Sequence, residues 1–137
     1  MKTFLDSSAF AKRFVDEVGS DKVEEACAQA SALGVSVICV PEIISALNRR
    51  RRERALTAAQ YAKAKRCLFD DIRDADLINL AERVVGSAIG VLEGSPVRAM
   101  DALHIACALE WEAELFVSSD KSQLSAARRV GLKTHAV

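Results

Sequence analysis

Four carboxylates in this chain stand where an acid needs a reason. Asp6 ends the short run Thr3-Phe4-Leu5, Asp120 ends Leu115-Phe116-Val117-Ser118-Ser119, and Glu42 follows the apolar run Val35 to Val40 by two residues. Asp101 lies near the start of Val97 to Glu112, an Ala/Leu/Ile/Cys-rich segment in which a carboxylate is unexpected unless it faces a pocket or a partner. Two unit charges ~4 Å apart repel by about 4 kcal/mol at an effective dielectric near 20, so carboxylates brought together must be partly protonated or must share cations. An oxygen-only set suits Mg²⁺ or Mn²⁺ rather than zinc, and such sites serve phosphoryl chemistry. The chain has no Cys-x-x-Cys pair, no P-loop and no Gly-x-Gly-x-x-Gly stretch, and no Ser-His-Asp or Cys-His set stands out. Read from its residues alone, it is a metal-dependent phosphoester hydrolase.

The elements that must position these acids alternate. Thr3 to Leu5 reads as a buried strand, Ser8 to Val15 as a short amphipathic helix, and Asp21 to about Ala32 as a helix capped by Ser20 and closed by Gly34. The β-branched run Val35 to Val40 has the pattern of a strand buried on both faces, and Pro41 suits the first turn of a helix running on to Arg54. Thr57 caps a further helix through Phe69. Asp70 to Asp76 reads as a solvated helix end and loop, and Leu77 to Leu80 as a short strand or a turn. Helices over Ala81 to Leu92 and Val97 to Glu112, the strand Leu115 to Ser119, a helix from Leu124 to Val130 and a last strand from Leu132 complete the pattern. Alternating strands and helices predict a parallel sheet covered on both faces. In such a sheet Asp6, Glu42 and Asp120 share one rim, where ligands bind in open α/β folds. Two of the acids have a plainer role open to them as well: Asp6 as the N-cap of the next helix, and Asp101 as the partner of Arg98 three residues away. His104 reads as a packed or hydrogen-bonding helix residue.

The 137 residues suit one domain over 1–137, half of them apolar. With 19 basic and 19 acidic side chains, no global field advertises a polyanionic partner, which would have to be held by a local patch. Cys27, Cys39, Cys67 and Cys107 are scattered in apolar segments and read as reduced thiols. No leader precedes the first strand and no apolar run nears the ~18 residues of a membrane span, so a cytoplasmic protein without a membrane partner is expected.

Four segments carry a family resemblance. Leu5-Asp6-Ser7-Ser8-Ala9-Phe10-Ala11-Lys12, Pro41-Glu42-Ile43-Ile44-Ser45-Ala46-Leu47, Arg98-Ala99-Met100-Asp101-Ala102-Leu103-His104-Ile105-Ala106 and Phe116-Val117-Ser118-Ser119-Asp120 resemble the successive motifs of PIN-domain proteins, in particular the VapC toxins of toxin–antitoxin pairs. The likeness spans essentially the whole chain in order and spacing. It implies a PIN-like three-layer α/β/α sandwich around a central, mainly parallel sheet of four to five strands. It also implies an Mg²⁺- or Mn²⁺-dependent endoribonuclease, the toxin of a type II toxin–antitoxin system, acting as a homodimer and inhibited by a small cognate antitoxin. Residue by residue, Asp6 and Asp101 would be the principal metal ligands and Glu42 and Asp120 would complete the acidic pocket. Ser8 would orient Asp6 or a metal-bound water. Lys121-Ser122-Gln123 follows Asp120 without the further acid of some members.

Lys12, Arg98 and Lys121 could supply countercharge to the acids and, with Arg49 and Arg50, are the candidate RNA contacts. The run Arg49 to Arg52 with Arg54 has three readings: a solvated helix end matched to the helix dipole, a hold on RNA phosphates, or a landing surface for an acidic antitoxin tail. Two other functions compete with the nuclease. One is a receiver-like or phosphatase-like domain phosphorylated on Asp6, although Ser8 stands where an Asp-x-Asp motif would place its second acid. The other is a non-catalytic PIN-like domain that binds a partner.

Overall fold

In the computed structural model, which describes every residue from Met1 to Val137, five short strands are joined by helical connections. Strand β1 (Lys2–Leu5) leads into a single-turn helix α1 (Ser7–Phe10), a 3-10 turn (Ala11–Arg13) and α2 (Ser20–Gln29). Strand β2 (Ala32–Ser36) is followed by α3 (Cys39–Arg52) and α4 (Ala58–Asp74), and β3 (Asp76–Ile78) by α5 (Glu82–Gly94) and α6 (Ala99–Glu110). Strand β4 (Leu115–Ser118), α7 (Lys121–Arg129) and β5 (Thr134–Ala136) complete the chain. All neighbouring strands pair in parallel, in the order β3-β2-β1-β4-β5.

Side chains alternate across a strand, so each central strand feeds two cores. Phe4 and Phe116, partners in register, stack with ring centroids 5.8 Å apart beneath α5, α6 and α7. Leu5, Val117 and Val35 face the opposite way, into a core built by α1 to α4. The result is a three-layer α/β/α sandwich, as the resemblance implied. The strand order also explains where a site can form. The chain lays β2 and β3 on one side of β1, then crosses to β4 and β5 on the other, so β1 and β4 flank the topological switch point. Their carboxyl ends lead into Asp6 and Asp120.

Strand and helix boundaries differ from expectation where distant contacts decide them. Strand β2 starts at Ala32 and stops at Ser36, and Gly34 lies inside it rather than closing α2. A Cβ on Gly34 would stand 2.7 Å from Cε3 of Trp111, whose ring crosses the strand there. Trp111 cannot easily yield: its Nε1–H donates to Asp76 at 3.0 Å, and the Lys2 ammonium lies 4.4 Å above its ring. Gly34→Ala is therefore expected to cost ~1–3 kcal/mol by overpacking, read as a fall of several degrees in melting temperature. The freed residues Val37 and Ile38 turn the chain, α3 begins at Cys39, and Pro41 occupies its third position, still in the first turn where no intrahelical bond is lost. Helix α4 extends through the acidic Asp70 to Asp74, stabilised at its start by a capping box in which Thr57 and Gln60 exchange hydrogen bonds. No helix is long and apolar enough to cross a membrane.

Candidate functional site

Glu42, Asp101 and Asp120 line one open cleft of about 520 Å³, together with Arg98, Met100 and Ser122. Each reaches it from a different element. Glu42 stands in the first turn of α3, which starts where β2 ends, and Asp101 in the first turn of α6. Helix α6 precedes a parallel strand and therefore runs antiparallel to it, which puts its start at the same rim. Asp120 caps α7, its Oδ1 accepting from the Gln123 N–H at 3.0 Å.

Asp6 lies beneath this surface, with 1 % of its area exposed. It caps α1 through the Ala9 N–H (2.9 Å), and it accepts from the Ser118 hydroxyl (2.7 Å) and from Ser8, whose Oγ is 2.8 and 2.9 Å from the two carboxylate oxygens. Those two serines in turn accept from the turn after β4: Ser118 Oγ from the Asp120 N–H at 2.9 Å, Ser8 Oγ from the Ser119 N–H at 3.1 Å. Asp6 is thus tied to the backbone that carries Asp120. Three donors occupy a group with about four lone-pair sites, which leaves room for one further partner. Burial pushes the Asp6 carboxyl above its ordinary value despite the hydrogen bonds from Ser118, Ala9 and Ser8.

Glu42 is held from one side. Its Oε1 takes the Ser7 hydroxyl at 2.7 Å and lies 2.6 Å from Nε2 of His104, which is itself 3.1 Å from Ser7 Oγ. Burial works to raise the Glu42 carboxyl, yet the bonds to His104 and Ser7 hold it below the usual glutamate range. Oε2 has no protein partner. His104 is 2 % exposed; Nε2 makes the contact to Glu42, while Nδ1 is buried without a hydrogen-bond partner. Asp101 is raised, first by burial and then by the charge of Asp120. Its Oδ1 accepts from Nε2 of the buried Gln123 at 3.1 Å, and no ion pair forms with the Arg98 side chain, so the private pairing open to it in the sequence is absent.

The structure therefore brings three of the four acids to one cleft and seals the fourth behind it. No three His, Cys, Asp or Glu side chains converge closely enough to hold a metal ion as they stand. The donor chemistry nevertheless fits a hard divalent cation: the cleft offers carboxylates and no thiol, and the nearby Cys39 thiol is pushed up to about 12 by burial and by Glu42, so it stays protonated and offers no soft ligand.

The basic candidates divide as well. Lys12 pairs with Glu17 at 3.5 Å and donates to the Val18 carbonyl at 2.6 Å, and Arg50 also pairs with Glu17, so these two serve the packing of the loop before α2 rather than a free surface. Arg98 and Lys121 make no ion pair and flank the cleft, and Arg49 is exposed on α3 without one. Ser7, Ser118 and Gln123 have no role assigned from the sequence, whereas His104, expected as a packed or hydrogen-bonding helix residue, is both. Ser118, a hydroxyl ending the otherwise apolar run Leu115-Phe116-Val117, is the one signal the sequence holds, and the structure buries it fully.

Comparison with known proteins bears on this arrangement. No curated protein sequence matches the chain. Among solved structures, VapC20 of Mycobacterium tuberculosis, described as a sarcin–ricin loop cleaving toxin, matches with a TM-score of 0.71 at 14% identity over 96% of each chain. VapBC-1 of nontypeable Haemophilus influenzae matches with 0.70 at 14% identity over 99% of this chain and 98% of the other. A toxin–antitoxin complex of Klebsiella pneumoniae gives 0.69 at 11% identity over 90% and 91%. At such identities the likeness is one of fold. The sequence profile of the PIN domain matches residues 3–129, from β1 to the last residue of α7, and on that match the chain belongs to the PIN domain family.

Proposed function

We propose that this chain is a divalent-metal-dependent endoribonuclease, the toxin of a type II toxin–antitoxin pair, acting in the cytoplasm as a homodimer and held inactive by a cognate antitoxin. The observation that carries the reading is the cleft itself: acids from α3, α6 and the end of β4, more than 70 residues apart between Glu42 and Asp120, share one open wall above a buried fourth. Asp6 and Asp101 are raised first by burial, and Asp101 further by the charge of Asp120, an arrangement poorly suited to stability and well suited to a cation. The family and the folds named above support hydrolysis of RNA, and two of those solved neighbours are toxin–antitoxin assemblies.

Mg²⁺ or Mn²⁺ in the cleft supplies a water of lowered pKa and a countercharge for the phosphorus oxygens. Asp6, Glu42, Asp101 and Asp120 would hold it. Ser7 and His104 fix Glu42 through one oxygen and leave the other to bind. Ser8 and Ser118 keep Asp6 ionisable and aligned with the turn that bears Asp120. Arg98, on the cleft wall, orients the phosphate. The receiver-like alternative is disfavoured by Ser8, which stands where an Asp-x-Asp motif would place its second acid and donates to Asp6 instead.

The test is incubation of the purified chain with a sarcin–ricin loop hairpin, the RNA that the M. tuberculosis neighbour is named for. Cutting is expected with Mn²⁺ and none with EDTA. Cutting that survives EDTA, or intact RNA in both, contradicts the proposal.

A further inference from the structure

Beside the acidic cleft runs a second groove of about 280 Å³, lined by Lys121, Ser122, Ser125 and Arg129 of α7 and by Pro96 and Val97. Pro96, Val97 and Ser122 line the cleft too, so the two form one continuous surface. Lys121, Ser125 and Arg129 recur every four residues and therefore share one face of the helix, and all three are exposed. No carboxylate lines the groove, and neither Lys121 nor Arg129 makes an ion pair. Arg129 spends Nη1 on the Gly94 carbonyl at 3.0 Å, which fixes its guanidinium and leaves the other N–H groups free. In a chain with equal numbers of acids and bases, what sets this unpaired, hydroxyl-bearing basic strip apart is its position, continuous with the acidic cleft through Pro96, Val97 and Ser122.

We propose that this strip of α7 is the phosphate track of the site, binding the RNA backbone that flanks the cut bond; the proposal rests on the nuclease reading above. A nuclease cleft walled by carboxylates repels every phosphate except the one its cation neutralises, and an RNA strand carries a phosphate at every nucleotide. The neighbouring phosphates must leave the acids at once and meet positive charge. Eight residues separate Lys121 from Arg129, ~12 Å at 1.5 Å per residue, so the face is long enough to meet more than one phosphate. Ser122, shared by cleft and groove, offers a hydroxyl donor at the crossing point, and Ser125 a second one midway.

The probe is a fluorescein-labelled 20-nucleotide single-stranded RNA of mixed sequence, with binding followed by anisotropy across a salt series in the full chain. A sarcin–ricin hairpin serves for cleavage kinetics in Mn²⁺. Replacing Lys121 and Arg129 together by Ala is expected to flatten the slope of log affinity against log salt by about 1.4, ~0.7 for each single-strand phosphate that is no longer neutralised. It should raise KM for the hairpin while kcat stays near the parent value. Ser125→Glu, which removes no bond from the fold, is expected to weaken binding in the same direction, and Arg66→Ala, an unpaired cation on α4, to leave it unchanged. If the RNA is still cut and neither slope nor KM moves, the track is wrong and the nuclease stands. An equal loss in Arg66→Ala overturns the track in favour of undirected charge. If the parent neither binds nor cuts RNA, both proposals fall.

Discussion

Asp101→Asn is expected to lower RNA cleavage by roughly 10²–10³-fold or more and, in the same molecule, to raise the melting temperature of the metal-free chain by a few degrees. The two effects have one cause. Asp101 is pushed above its ordinary value near 3.8, by burial first and by Asp120 second. A carboxyl raised in this way binds its proton more tightly folded than unfolded. Its contribution to stability is complete below about 3.8 and is lost as the pH rises through the folded value. At neutral pH the ionised Asp101 is therefore a burden on the fold that the proposed cation would relieve, and Asn would remove that burden together with the proposed ligand. Glu42 works with the opposite sign. Held below its ordinary 4.5, it contributes stability that is present above that pH and lost as the pH falls through its folded value. Thermal unfolding in EDTA from pH 3 to 8 should thus show the parent falling behind Asp101→Asn once the pH passes about 4. An unchanged melting temperature with cleavage intact would remove Asp101 from the site.

His104→Ala carries the other large effect. The ring is 2 % exposed and supplies the 2.6 Å contact that fixes Glu42. Its loss leaves a cavity and is expected to cost roughly 2–4 kcal/mol of stability, and to lower cleavage by about 10–100-fold as Glu42 loses its orientation. A destabilised protein alone could lose activity, so the informative comparison is between two amides. Gln places an N–H near the position of Nε2, whereas Asn places one near Nδ1, which has no partner. His104→Gln should therefore recover most of kcat and His104→Asn should not, at similar melting temperatures. Equal activity of the two amides would reduce His104 to a packing residue.

Much of the layout was legible in the sequence because it depends on local patterns. Phe4 and Leu5, or Phe116 and Val117, announce strands that feed two cores, and the carboxylates that end such runs stand at the rim whatever the remaining contacts are. The details that escaped depend on residues far apart. Gly34 reads as a helix stop until Trp111, 77 residues on, is seen to cover it. Lys12 and Arg50 read as free cations until Glu17 is found between them. The burial of Asp6 by Ser8 and Ser118, and the grip of His104 on Glu42, are invisible to periodicity because each joins side chains from different elements. The plain local role of Asp6, capping α1, proved real; Asp120 caps α7, a role not expected of it, and capping leaves each with oxygen lone pairs to spare.

The central claim is that four acids from across the chain act as one cation site, and the most direct measurement is calorimetric titration of the RNA-free protein with Mn²⁺. A single saturable binding event is predicted, with an affinity that falls at least tenfold in Asp6→Asn and in Asp101→Asn alike, and with Mn²⁺ raising the melting temperature of the parent only. Equal Mn²⁺ affinity in the parent and both variants, or no binding to any of them, would contradict it.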